Sequence, residues 1–100
     1  MARKIIWTFT AKKQRTEILE YWIKRTGSKR YSKKLSKLFR KKTRLLVNFK
    51  HLGRLTDFEN VRVTSSGHYS IYYTDDKESI IIVCLWDSRR NPKDLLMILK

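Results

Sequence analysis

The sequence predicts an α+β fold: an N-terminal strand and a helical hairpin packed on a four-stranded antiparallel sheet, with a short C-terminal helix. Three observations predict it. Residues 60–92 hold three strand-length apolar runs separated by two short turns. Before them, apolar residues recur at helical spacing in two long segments divided by Gly27. Three such strands also need a cover on one face, and the helical half supplies it. One hundred residues make one domain, large enough to build a core without staples.

Taken in order, residues 4–9 (KIIWTF) are short, apolar and β-prone, a first strand. Thr10 is placed to cap a helix over 11–26, where Ile18, Leu19, Trp22 and Ile23 share a face. Gly27 stops this helix, and Ser28 is positioned to cap the next, over 28–50. There Tyr31, Leu35, Leu38, Phe39, Leu45, Leu46 and Phe49 form one stripe. Residues 51–59 read as a loop around Gly53. The run Val61-Arg62-Val63-Thr64 is a strand, Ser65-Ser66-Gly67 a turn, and 68–74 the next strand. Asp75-Asp76-Lys77-Glu78 turns the chain again. Residues 79–86 are apolar on both faces, a buried central strand. The first strand is expected at an edge or beside this last strand. After Pro92, residues 93–99 read as a short helix. Val61, Val63, Tyr69, Ile71 and Tyr73 are expected under the helices, leaving Arg62, Thr64, His68, Ser70 and Tyr72 on an open face.

The charge is lopsided. The chain carries 24 Lys and Arg against 9 acids, a net charge of +15. Residues 1–53 hold 17 of the cations against only Glu17 and Glu20, whereas residues 54–100 hold seven cations and seven acids. The surplus therefore lies in the helical half and points to a polyanion or an acidic protein as partner. No apolar run approaches a membrane span, and no signal-peptide core follows the basic N-terminus, so a cytoplasmic protein without a membrane partner is expected. Cys84, the single cysteine, excludes an internal disulfide and reads as a small buried hydrophobe. No zinc spacing, P-loop or nucleophile elbow is present, and neither metal nor cofactor is expected.

Two clusters carry candidate chemistry. The second helix bears Lys33, Lys37, Arg40, Lys41 and Arg44, followed by Lys50, with no acid among them. A merely solvated face interleaves signs, because like charges at i,i+4 repel. A row of one sign suits phosphate-backbone contacts, and these residues are assigned to nucleic-acid binding together with Arg90. The second cluster is Arg54, Arg62, Arg89 and Arg90, whose guanidinium forks match phosphate oxygens. Cleaving RNA through its 2′-OH needs a base, fixed positive charge and an acid. On this reading Arg62, Arg89 and Arg90 supply charge over the open face, and His68, His51 or Tyr72 move protons.

The ordered set Trp7-x-x-x-Ala11, Gly53, Val61-Arg62, Gly67-x-Tyr69-x-Ile71-x-Tyr73 and Trp86-Asp87-Ser88-Arg89-Arg90-Asn91-Pro92 resembles the RelE/ParE superfamily of bacterial toxins over essentially the whole chain. The resemblance implies that family's fold and a neighbouring antitoxin that wraps the toxin. It implies one of two targets. RelE-like members cut mRNA in the ribosomal A site, as metal-independent endoribonucleases. ParE-like members poison DNA gyrase without being nucleases. Arg54, Arg62 and Arg89 match positions where RelE-like toxins use basic residues. RelE itself has a catalytic tyrosine near Leu95, and the YoeB branch a C-terminal His-Tyr pair; this chain has no tyrosine after Tyr73, which leaves His68 as the stand-in. The leading expectation is a ribosome-dependent mRNA interferase using Arg54, Arg62, His68 and Arg89. The alternatives are a gyrase inhibitor without catalysis and a nucleic-acid-binding relic. The antitoxin segment is expected to be acidic and amphipathic, covering the open face or the groove beside the hairpin.

Overall fold

Thr8 sets where the first strand ends and the first helix begins. Its hydroxyl accepts the Ala11 N–H at 3.1 Å and donates to the Val83 carbonyl at 3.3 Å. One side chain thus caps α1 and ties it to the sheet. The computed structural model describes residues 3–90. Within them, β1 (Lys4–Trp7) leads into α1 (Phe9–Thr26), and Gly27 closes that helix by donating to the Ile23 carbonyl. The cap is Thr8 rather than Thr10, because the chain leaves the sheet two residues sooner than its apolar run. α2 (Arg30–Asn48) follows. Its formal cap residue Lys29 offers no side-chain bond, and Ser28 Oγ takes the Arg30 N–H at 3.1 Å instead.

Among the described residues the sheet has five strands, not four, and is mixed. Its order is β1-β5-β4-β3-β2, with β2 (Arg54–Leu55), β3 (Arg62–Ser66), β4 (Tyr69–Asp75) and β5 (Ser79–Asp87) antiparallel. β1 lies at one edge and pairs parallel with β5, Lys4 opposite Ser79 through Trp7 opposite Ile82. The helical hairpin carries the chain from β1 at one edge to β2 at the other, and the meander leads back to β5, a long connection of the kind a parallel pair requires. At the other edge, the two residues of β2 come from the stretch expected to be loop; so short a run has no legible alternation. Among the described residues the edge of β5 beyond Trp7 has no strand partner, and Gln14 of α1 substitutes, its Oε1 accepting the Leu85 N–H at 2.8 Å. Residues 93–99, expected to be helical, lie outside the described residues.

The core lies between the helices and one sheet face. Leu35, Phe39 and Leu46 of α2 meet Tyr69, Ile71, Tyr73, Ile80, Ile82 and Leu85, with Ala11 at the start of α1. Ile18, Leu19 and Trp22 pack against this cluster, and Trp22 Nε1 donates to Tyr69 Oη at 2.8 Å. The expected α2 stripe splits in two. Ser32 and Thr43 occupy inner positions, whereas Leu38, Leu45 and Phe49 stay exposed. Neighbouring residues sit about 100° apart on a helix, so Leu38 and Phe39, or Leu45 and Leu46, cannot share a face.

A second correction concerns β3. The β3–β4 connection is two residues, Gly67 and His68, with Ser66 opposite Tyr69 and Gly67 at φ 65, the positive φ that a two-residue hairpin turn takes first. Even-numbered residues of β3 therefore face odd-numbered residues of β4. Arg62 stands opposite Tyr73, and Thr64 opposite Ile71, on the helix side; Val63 stands opposite Tyr72 on the open side. The expected faces of Arg62, Thr64 and Val63 are reversed, because one residue more or less in a turn flips a whole strand. His68 lies in the turn, not on a strand face.

The return from α2 to the sheet is pinned at Tyr73. Its buried hydroxyl accepts the Gly53 N–H at 2.8 Å and donates to the Lys50 carbonyl at 2.9 Å, while Arg62 Nη1 donates to the Gly53 carbonyl at 2.7 Å. A Cβ on Gly53 would sit 2.7 Å from the Val63 carbonyl oxygen and 2.8 Å from Tyr73 Cε1 and Oη. Gly53→Ala is therefore expected to destabilise the protein by about 1–3 kcal/mol, through overpacking and a broken buried amide bond. Denaturant titration measures this; an unchanged midpoint would contradict it.

Candidate functional site

The four candidate arginines do not converge. β3 and β5 both run antiparallel to β4, so the start of β3 and the end of β5 lie at opposite ends of the sheet. Arg62 stands opposite Tyr73 and Asp87 opposite Tyr69, four residues of β4 apart, or roughly 13 Å. Each of the two guanidinium groups is already engaged. Arg62 holds the Gly53 carbonyl. Arg89 forms a two-pronged pair with Asp87, Nε at 3.0 Å and Nη2 at 2.8 Å, and its own N–H reaches the same carboxylate at 2.9 Å. The side-chain bond from Arg89 holds the Asp87 carboxyl below the usual carboxylate range, against a smaller opposing effect of burial. Asp87 in turn raises the Arg89 pKa. With 55% of the Arg89 side chain exposed, the pair is a solvent-screened surface contact.

Of the proton-carrying candidates, His68 sits exposed in its turn, where its carbonyl accepts the Ser88 N–H and hydroxyl. It is therefore beside the Arg89 end of the sheet and away from Arg62. His51 is exposed just after α2. Tyr72 lies on the open face with Arg54, in a shallow groove of about 440 Å³ that Leu55, Thr56, Asp57, Phe58 and Val63 complete. Burial pushes the Tyr72 phenol up, with Cys84 adding to the shift and Arg54 opposing it. The phenol is protonated at neutral pH, so it is a hydrogen-bond donor and not a resting base. Arg90 lies 4.5 Å over the Trp86 ring, a cation–π contact. The open face thus carries Arg54 and Tyr72 together, whereas Arg62 stands on the helix side and His68 lies in the β3–β4 turn.

The α2 cations do come together. Lys37, Arg40, Lys41 and Arg44 line a groove of about 470 Å³ with Leu45 and Asn48, and Lys33 continues the row by one turn. Lys50 is separate: its Nζ lies 3.8 Å from Asp75 Oδ2. Beside the cations runs an apolar line that the sequence reading placed in the core: Leu38, Leu45 and Phe49, the last 61% exposed. Their i, i+7, i+11 spacing was the available signal, one residue out of phase with the buried Leu35, Phe39 and Leu46.

The comparisons with known proteins follow this geometry. A family model described as the ParE toxin of the type II toxin–antitoxin system, parDE, matches residues 5–92. The fold is similar to a solved structure described as a chromosomal ParDE toxin–antitoxin system from P. aeruginosa. The TM-score is 0.72 at 17% identity, over 84% of this chain and 94% of that one. No curated protein matches the chain in sequence.

Arg62→Ala should lower stability by about 1–2 kcal/mol, since it frees a carbonyl in a packed junction, whereas Arg54→Ala, at an exposed position, should change it by less than about 0.5 kcal/mol. Equal midpoints for the two variants in urea would contradict a structural Arg62. The Asp87 carboxyl titrates lower in the folded than in the unfolded chain. Its stabilisation is therefore fully present above the ordinary carboxylate range and lost as pH falls through the folded value. The stability gap between wild type and Asp87→Asn should close on acidification from about pH 6 to pH 2; a gap constant over that range would show that the pair contributes nothing to folding.

Proposed function

The chain belongs to the ParE toxin family of type II toxin–antitoxin systems, and on that premise we propose that it is a gyrase-directed toxin that acts by binding, without cutting nucleic acid. One observation carries this reading. Among the described residues, Arg62 and Arg89, on which transition-state charge would have to rest, stand at opposite ends of the sheet, each bonded to its own chain. Stabilising a phosphorane requires donors preorganised around one point, and these donors surround none. The ribosome-dependent nuclease reading loses its geometric support, while an inhibitor needs only a complementary surface. The alternative of a nucleic-acid-binding relic finds support only in the basic row of α2, a feature that a gyrase-directed toxin accommodates equally.

The partner of such a toxin is its antitoxin, acting with it in the cytoplasm. The exposed line Leu38, Leu45 and Phe49, rimmed by Lys34, Lys41 and Lys42, suits an acidic amphipathic segment. Apolar anchors at these spacings would enter the line, and carboxylates would meet its rim.

In a supercoiling assay with purified gyrase and relaxed plasmid, the folded toxin is expected to block introduction of negative supercoils. The antitoxin should restore activity. Full supercoiling at saturating toxin would sink the gyrase assignment. Leu45→Asp with Phe49→Asp should leave toxin action intact and weaken antitoxin rescue at least tenfold; undiminished rescue would place the antitoxin elsewhere.

A further inference from the structure

We infer that the outer face of α2 is a second binding surface, a sequence-independent contact for the phosphate backbone of B-form duplex DNA, on the flank beside the apolar line proposed for the antitoxin. The inference stands on charge and geometry alone and does not depend on which target the toxin attacks.

Lys33, Lys37, Arg40 and Arg44 fall at i, i+4, i+7 and i+11 on α2, a row about 16 Å long at 1.5 Å per residue. That length spans the rise of about five base pairs. α2 contains no acid, and among the described residues none of the four side chains has an ionic or hydrogen-bonding partner. A helix that accepts such uncompensated i,i+4 repulsion leaves its cations available to an outside anion. All four are exposed, so their charge does not serve the core.

The direction of the charge selects the occupant. With Lys41, these cations cover an arc of about 100° of the helix circumference, on the flank beyond the apolar line Leu38, Leu45 and Phe49. A helix lying over a groove needs such an arc to reach phosphates on both walls. The major groove of B-form DNA, about 12 Å wide, admits a helix, whereas that of A-form RNA is too deep and narrow. An acidic peptide is the occupant of the adjoining apolar line; apart from Leu45 and Asn48, every residue lining the groove of the row is a cation. The only uncharged side chain lining the groove able to read a base edge is that of Asn48, so binding should be indifferent to sequence.

The test is direct binding of purified full-length toxin to short DNA duplexes of two unrelated sequences, across salt concentrations, with no gyrase present. About four phosphate contacts give a log–log salt slope near −4, and affinity should fall about a hundredfold between about 50 and 200 mM salt, equally for both sequences. The row variant Lys33→Gln, Lys37→Gln, Arg40→Gln, Arg44→Gln, folded by circular dichroism and thermal melt, should lose most of that slope. A control, Lys12→Gln, Lys13→Gln, Lys24→Gln, Arg25→Gln, removes the same charge from exposed positions of α1 and should keep it. Equal losses in the two variants would show that net charge alone binds DNA and overturn the site, as would a row variant that binds like wild type. Preference for an RNA duplex, or an acidic peptide competing while DNA does not bind, would overturn it as well. Either result leaves the supercoiling assay to decide the toxin's target separately.

Discussion

A two-residue turn decides what each face of this protein displays. Because Gly67 and His68 alone join β3 to β4, Ser66 pairs with Tyr69, and every even residue of β3 shares a face with an odd residue of β4. Arg62 is thereby placed beside Tyr73 under the helices instead of over the open sheet. There it closes a junction of three hydrogen bonds, in which Tyr73 Oη joins the Lys50 carbonyl to the Gly53 N–H and Arg62 holds the Gly53 carbonyl. The end of α2 is locked to the sheet through that junction. An arginine that would otherwise be available to a substrate becomes a structural clamp.

The same geometry separates the remaining charges. Asp87 retains Arg89, Trp86 underlies Arg90, and Asp75 draws Lys50 aside. The cations left exposed and uncompensated lie mainly on the helices, and those of α2 form a row. The molecule thus presents three surfaces of different chemistry: an open sheet face with Arg54 and Tyr72, an apolar line on α2, and a basic flank beside it. A toxin that inhibits by occupancy can assign these to separate partners, whereas a nuclease would need several of them merged at one point.

Much of the architecture was legible because it rests on local signals. Helical periodicity exposed the hairpin, Gly27 marked its break, and alternation exposed the meander. The parallel pairing of β1 with β5 was less legible, since a four-residue apolar strand states no direction. β2 left no pattern at all in two residues. The faces of β3 failed for a sharper reason: alternation was read correctly along each strand, but parity across the turn depends on its length, and Ser65-Ser66-Gly67 looked like the turn when Gly67-His68 was. The expected convergence of Arg62 and Arg89 failed on topology, because two successive hairpins put the start of the first strand and the end of the third at opposite ends. The α2 cluster was legible because an unbroken row of one charge depends on no tertiary contact.

The central claim, that this toxin acts without cleaving nucleic acid, is tested most directly in a reconstituted translation reaction with purified toxin, mapping mRNA 5′ ends by primer extension with and without ribosomes. The account predicts intact mRNA at saturating folded toxin in both arms. Ribosome-dependent ends within codons would contradict it, and would require the arginines described here to leave Gly53 and Asp87 when the ribosome binds.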